Sequence, residues 1–366
     1  MSTPSPFMTP GHHRRRRREA ARIKRRRQRR AFAAGTFALA IVAVVAVMAL
    51  AGPGGAHGRG EAGRHTARRQ VATAPVAVPA HSAIGLPLGR PPLTLALGNP
   101  AGDPVHAPFR VPPRAGVLFN LSTGQVLWQR NPYLHLRIAS LTKMMTALLT
   151  ASSAPADARV LVTREAINQA GSKVGVLPLG KHVRLETLLY GLLLPSGNDA
   201  AVALAQHVAG SVNNFVVRMN RKAAELGMGC TRYSSPSGYY DGGNFSCAAD
   251  LAELAHVDLE QPRIASIVRT YTAALPFPIK GGKLYLYNNN PLLIYGYPGL
   301  TGLKTGYTEA AGRCLVATAE RNGVRLGVVL LHSPDPGTQA AYLLNRGFEG
   351  VYHQAPVPEP PIPPGA

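Results

Sequence analysis

Residues 31–50 read AFAAGTFALAIVAVVAVMAL, twenty residues without a charge. A helix of that length spans the hydrocarbon core of a bilayer. Directly before it stands RRRRREAARIKRRRQRR, residues 14–30. Arginines at one end of an apolar span hold that end in the cytoplasm. The chain is therefore expected to be a single-pass membrane protein. It would have a basic cytoplasmic tail (1–30), a transmembrane anchor or signal segment (31–51) and an extracytoplasmic body. Ala49-Leu50-Ala51 before Gly52 also resembles a signal-peptidase site, which leaves secretion open, although the length of the run favours an anchor.

Half of the formal net charge of +22 lies in residues 1–51. Twelve of the forty Lys and Arg, but one of the eighteen acids, lie in residues 1–51. The charge therefore points to anionic lipid head groups, not to nucleic acid, as the partner of the basic run. Residues 52–114 are rich in Gly, Ala, Pro, Arg and His without a sustained period, and read as a disordered linker. Residues 351–366 are a Pro-rich tail. What remains, 115–350, is long enough for one domain with a substantial core.

Within that body, AGVLFNLSTGQVLWQR (115–130) predicts two short strands around a turn. Helices are predicted from 139, over 184–194 up to Pro195, over 198–210 with Asn198 as a candidate cap, and over 211–228. Residues 312–333 predict a hairpin turned by Asn322-Gly323, followed by a last helix over 336–346. Strands at both ends with helices between them imply an α/β (α+β) domain, an antiparallel sheet packed with helices. Of three cysteines, Cys230 and Cys247 are the pair expected in loops and free to form a disulfide outside the membrane, while Cys314 falls in an apolar segment. No spacing of Cys, His or acids resembles a metal site, and no phosphate-binding Gly-rich loop precedes a helix, so no cofactor is expected.

Three short motifs carry the chemistry. In ASLTKMMTALLT (139–150), Ser140 and Lys143 lie one helical turn apart beside an apolar stripe. A lysine drawn into apolar surroundings loses hydration and becomes a base, and a neighbouring serine becomes its nucleophile. Alone, the pair also fits an N-cap and a snorkelling lysine. In LLLPSGNDAAVALA (192–205), Ser196 is a candidate proton relay and Asn198 a partner for a substrate amide; a turn with a helix cap is the bland alternative. In GLTGLKTGYTEAAGRC (299–314), Lys304-Thr305-Gly306 is placed at the start of a strand. There Lys304 offers a positive charge, Thr305 a hydroxyl for an anionic group, and Gly306 room for a substrate lying along the strand. The backbone N–H groups of Tyr307 and Ser140 would form an oxyanion hole. A surface strand with a solvated lysine is the alternative.

The order SLTK, SGN, KTG, with 56 residues from Ser140 to Ser196 and 108 from Ser196 to Lys304, makes chance a poor account of all three. Class A β-lactamases and penicillin-binding proteins use such a set. Residues 115–348 resemble the serine D-alanyl-D-alanine carboxypeptidases, the low-molecular-mass penicillin-binding proteins. The likeness rests on IASLTKMMTALL, GLLLPSGNDAAVALAQHVAG, FVVRMNRKAAELGM, NNNPLL, GLKTGYTEAAGRCLVATA and LLNRGFE.

This resemblance implies a β-lactamase/penicillin-binding transpeptidase-like fold. It implies action on peptidoglycan stem peptides ending in D-Ala-D-Ala, and β-lactam antibiotics as covalent inhibitors. Ser140 would attack the penultimate carbonyl and Lys143 accept its proton. Ser196, tuned by Lys304, would protonate the leaving D-Ala, Thr305 would hold the terminal carboxylate and Asn198 the peptide amide. Two departures stand out. The 18 residues after Phe348 leave no room for the β-rich domain and C-terminal anchor common in the family, which leaves tethering to the N-terminal segment. HSPDPGTQAA (332–341) lacks the basic residue that members often carry between the last strand and last helix. The alternatives are a D,D-endopeptidase, a β-lactamase, or a non-catalytic penicillin-binding sensor or scaffold.

Overall fold

Asn322 and Gly323 both take positive φ, 48° and 77°, and close the turn the sequence predicts. They join the last two strands of a five-stranded antiparallel sheet in a computed structural model describing residues 93–98, 102–239, 242–279 and 282–365. The strands are β1 (Ala115–Asn120), β2 (Val126–Arg130), β3 (Leu300–Thr308), β4 (Gly312–Arg321) and β5 (Val324–Ser333). Their order across the sheet is β2-β1-β5-β4-β3. Ala115 pairs with Leu331 and Asn120 with Leu326, so the beginning and end of the domain meet at the sheet's centre. The edge strand β3 is the one that carries Lys304-Thr305-Gly306.

Both faces of this sheet are covered, so its strands are apolar throughout and alternation sorts residues between two cores. Val117, Phe119, Val316, Val329 and Leu331 face the larger core. Leu118, Leu315, Ala317, Val328 and Leu330 face the smaller one, beneath the last helix, Pro336–Arg346. The longer helices are α1 (Thr142–Ser153), α2 (Leu185–Leu193), α3 (Asn198–Ala209), α4 (Val212–Glu225), α5 (Ala248–Glu260), α6 (Pro262–Val268) and α7 (Pro336–Arg346). Every residue of α1 from Thr142 to Ala151 is buried, so this helix is the pillar of the larger core, not an amphipathic surface helix. Each of its Leu and Met side chains contributes about 1.5–3 kcal/mol by leaving water.

Several expectations change. The start of α1 is a separate 3₁₀ turn, Ala139–Leu141, and Ser140 lies on that turn. Asn198 is the first residue of α3, and Gly197 occupies the cap position without a side-chain bond. Lys304 sits in the middle of β3, not at its start. The linker expected over 52–114 is not free at its far end. Val105 is buried against the smaller core, and Phe109 packs edge-on to Trp128 and Tyr342. Similarly, Tyr352 and Ile362 of the Pro-rich tail pack on that core. Cys230 and Cys247 form a disulfide, and Cys314 is a buried thiol. The expected tail (1–30), membrane segment (31–51) and linker residues 52–92 and 99–101 lie outside the described residues. Among the described residues, no single helix is long and apolar enough to cross a membrane.

Candidate active site

Ser140 stands where three backbones crowd together. Ala139, just before it, has φ +47°, a left-handed conformation unusual for a residue with a Cβ. Two glycines make room for this turn. A Cβ on Gly238 would lie 1.9 Å from the Ala139 carbonyl oxygen, and one on Gly306 would meet the Ser140 nitrogen at 3.1 Å. Any side chain at Gly238 would therefore displace the serine. Gly306 lets strand β3 pass directly alongside it.

Lys143 is fully buried, and its Nζ donates three hydrogen bonds: to Ser140 Oγ (2.8 Å), Asn198 Oδ1 (2.7 Å) and the Ser237 carbonyl (2.8 Å). Burial pushes its pKa well below that of a free lysine; the nearby positive Lys304 pushes the same way, and Asp199 opposes them. The result is an amine poised to be neutral while in contact with a hydroxyl. Asn198 donates from Nδ2 to the Ala170 carbonyl (2.6 Å), so one amide hydrogen remains for another partner.

Ser196, two residues earlier, has φ +67°, and its buried hydroxyl has no hydrogen-bond partner among the described residues. A buried hydroxyl left unpaired costs free energy, and it faces the cleft that Ser140 also lines. The next acid, Asp199, is buried and holds the facing loop: its carboxylate accepts from the backbone N–H groups of Val174, Gly175 and Ala200. The Asn198 N–H donates to the Ser172 carbonyl in the same loop, which brings Ser172 into the cleft wall.

The opposite wall is β3. Lys304 is 1% exposed, donates to the Thr305 carbonyl (2.9 Å), and is lowered by burial to a pKa of about 7. Thr305 Oγ1 donates to Asn289 Oδ1 (2.8 Å). The Tyr307 ring is exposed, with the Arg313 guanidinium 6.0 Å from its centroid. Between the walls lies a cleft of about 410 Å³ lined by Ser140, Ser196, Thr305, Gly306 and Tyr307, among others.

The structure thus brings Ser140, Lys143 and Asn198 into direct contact, and places Ser196, Thr305, Gly306 and Tyr307 around the same cleft. Lys304 lies beneath it. Four contributors escape the sequence reading: the Ser237 and Ala170 carbonyls, which are backbone, and the side chains of Asp199 and Asn289. Asp199 directly follows the Ser-Gly-Asn motif, and Asn289 is the middle residue of Asn288-Asn289-Asn290, so each lay beside a recognised signal.

A serine in contact with a buried amine, beside an edge strand and with no histidine among the described residues lining the cleft, has the geometry that a serine acyl-transfer site with a lysine base requires. Known proteins narrow this further. The chain belongs to the D-alanyl-D-alanine carboxypeptidase family, whose pattern matches residues 103–335. It is 35% identical over 243 residues to the D-alanyl-D-alanine carboxypeptidase DacF of Bacillus subtilis, covering 64% of this chain and 62% of that relative. It is also 35% identical over 214 residues to a D-alanyl-D-alanine endopeptidase of Pseudomonas aeruginosa, covering 57% and 68%. The crystal structure of a D-alanyl-D-alanine carboxypeptidase from Mycobacterium tuberculosis superposes with a TM-score of 0.64 at 34% identity, covering 71% of this chain and 98% of that one. The chain therefore spans somewhat under two thirds of the Bacillus relative. The fold is the penicillin-binding one expected from the motifs.

Proposed function

We propose that this protein is a serine D,D-carboxypeptidase that removes the terminal D-Ala from peptidoglycan stem peptides, held at the outer face of the cytoplasmic membrane by residues 31–51. The observation that carries the reading is the 2.8 Å contact between Ser140 Oγ and a fully buried Lys143 Nζ whose pKa is lowered. In its neutral form the amine accepts the Ser140 proton as Oγ attacks the penultimate D-Ala carbonyl. The backbone N–H groups of Ser140 and Tyr307 stabilise the resulting oxyanion. Ser196 relays the proton taken up by Lys143 to the departing amine, which leaves Lys143 neutral again; the C–N bond breaks, D-Ala leaves, and an ester on Ser140 remains. Water then attacks the ester carbonyl, its proton returns through Lys143, and Ser140 is released. Thr305 binds the substrate's terminal carboxylate, while Asn198 keeps Lys143 in place and offers its remaining N–H to the peptide. β-Lactams are expected to acylate the same oxygen.

Mixing the full chain in detergent with a penicillin, and following the mass over time, tests this reading. The expected result is a lasting adduct mapped to Ser140, with D-Ala released from a D-Ala-D-Ala peptide. An adduct that vanishes within seconds marks a β-lactamase instead, and no adduct at any time marks a non-catalytic binder. The absence of Lys and Arg from 332–341 favours a second reading, a D,D-endopeptidase acting on cross-links that carry no free carboxylate. Release of monomers from a cross-linked dimer faster than D-Ala from a linear peptide would select it.

A further inference from the structure

A D,D-carboxypeptidase has to receive a free carboxylate at the end of its cleft, which a cross-link without one does not present. A carboxylate leaving water needs a cationic partner with its donors available. Segment 332–341 has no Lys or Arg, the ring of its His332 is engaged through Nδ1 with the Ala311 carbonyl, and Lys304 is an indifferent candidate: it is 1% exposed, its amine is turned to the Thr305 carbonyl, and burial holds it near half-charge at neutral pH. Among the described residues lining the cleft, one carries a charge, and that is Arg313.

Its position follows from strand pairing. Gly312 and Arg313 begin β4 just after the turn from β3, and Arg313 pairs with Tyr307 while Leu315 pairs with Thr305. Residues two apart on a strand share a face, so Arg313 lies diagonally across from Thr305 on the same side of the sheet. Diagonal neighbours are about 7–8 Å apart, a gap that an arginine side chain reaches across. No acid pairs with the guanidinium among the described residues. Its one hydrogen bond is a long one, Nη1 to the Pro334 carbonyl at 3.5 Å. It sits over the Tyr307 ring, 6.0 Å from the centroid, and Gly365 of the C-terminal segment lies alongside. These contacts aim the side chain and leave most of its five N–H donors without a partner among the described residues.

We propose that Arg313 receives the free terminal carboxylate of the substrate, together with the Thr305 hydroxyl, and so sets the preference for chain ends over internal cross-links. A guanidinium is permanently charged and its planar fork matches a carboxylate in a two-point contact. The cation missing after the last strand is thus supplied from the strand before it, at the same end of the cleft. This inference rests on the D,D-peptidase reading above.

The test compares two acyl donors with the full chain in detergent: a diacylated peptide ending in D-Ala-D-Ala with a free carboxylate, and the same acyl part presented as a neutral activated ester. Arg313→Gln should lower kcat/KM for the peptide roughly 10- to 100-fold, mainly through KM. It should leave the neutral ester within about twofold, since that donor carries no charged terminus for Arg313 to hold. Arg313→Lys should recover part of the loss, and salt should weaken peptide binding by the wild type more than by Arg313→Gln. An equal fall on both donors makes Arg313 a structural residue and overturns the proposal. So does an unchanged rate on the peptide, which would also strengthen the endopeptidase reading. If the wild type consumes neither donor, the D,D-peptidase reading itself fails, and this proposal with it.

Discussion

The two walls of the cleft each bury a lysine, and treat it differently. On the helical wall, Lys143 is held by three acceptors from three separate segments: the serine turn, helix α3 and the Ser237 loop. On the strand wall, Lys304 has one acceptor, the carbonyl of the residue that follows it. Both amines have lost their water, and both are pushed toward neutrality by that loss. The first is fixed to within a hydrogen bond of the group it serves. The second is a charge reservoir under an open strand. A site that moves a proton needs the former, because proton transfer demands contact geometry; a site that senses charge a few ångströms away needs only the latter.

The largest effects should come from the fixed wall. Ser140→Ala removes the oxygen held against Lys143, and turnover should fall by roughly 10⁴-fold or more, with no penicillin adduct by mass spectrometry. Lys143→Ala should cost about 10²–10⁴-fold in acylation rate, the usual contribution of a placed base. Because it also leaves the Asn198 and Ser237 oxygens buried without their donor, it should lower stability by a further 1–3 kcal/mol or so. Circular dichroism and a urea titration separate that loss from the kinetic one. A Lys143→Ala variant that acylates at the wild-type rate would break the distinction between the walls.

A smaller effect should appear in stability against pH. Lys304 has a folded pKa of about 7 against an ordinary 10.5. Between those values the unfolded chain holds the proton and the folded one does not. Stability therefore rises with pH across the window, by at most about 5 kcal/mol, and levels off above it. Below pH 7 the folded protein must carry the buried charge and gains nothing from this group. Lys143 acts in the same direction. Lys304→Met should flatten the part of the rise that Lys304 owns, which urea titrations of wild type and variant at pH 6.5 and 9.5 would read directly.

How much of this was written in local sequence depends on what kind of group does the work. Ser140, Lys143, Ser196, Asn198 and Lys304-Thr305-Gly306 stand in short motifs of chemically distinctive residues, so they were legible. The hairpin at Asn322-Gly323 was legible for a similar reason, since its backbone conformation selects those residue types. The carbonyls of Ser237 and Ala170 were not, because every residue has one and only the fold brings these two to the site. Helices α5 and α6 and the hairpin of Thr272–Pro276 with Lys283–Tyr287 went unread. Residues 102–114 read as a spacer because two anchors, Val105 and Phe109, hold an otherwise irregular segment. Two contacts make no period. Arg313 looked like one more basic residue in a mildly basic body until strand pairing set it beside Tyr307.

The finest test of the two walls is a pair of opposite shifts in the acid limb of kcat/KM. That limb marks loss of the proton that blocks Lys143, and in a site with two interacting amines it belongs to the pair rather than to either residue. Deleting the charge on the strand wall with Lys304→Gln removes a repulsion that disfavours the protonated form of Lys143. The proton is then held more tightly, and the limb should move to higher pH. Deleting a partner on the helical wall with Asn198→Ala does the reverse. The Asn198 oxygen accepts from Lys143 Nζ at 2.7 Å, and an acceptor favours an ammonium over an amine, so its loss should move the limb to lower pH. Asn198→Ala also loosens the base and should lower the plateau, whereas Lys304→Gln should change the plateau through substrate charge. Limbs moving apart in these two variants would show that one lysine tunes and the other transfers; limbs moving together would mean that both act on the proton through burial alone.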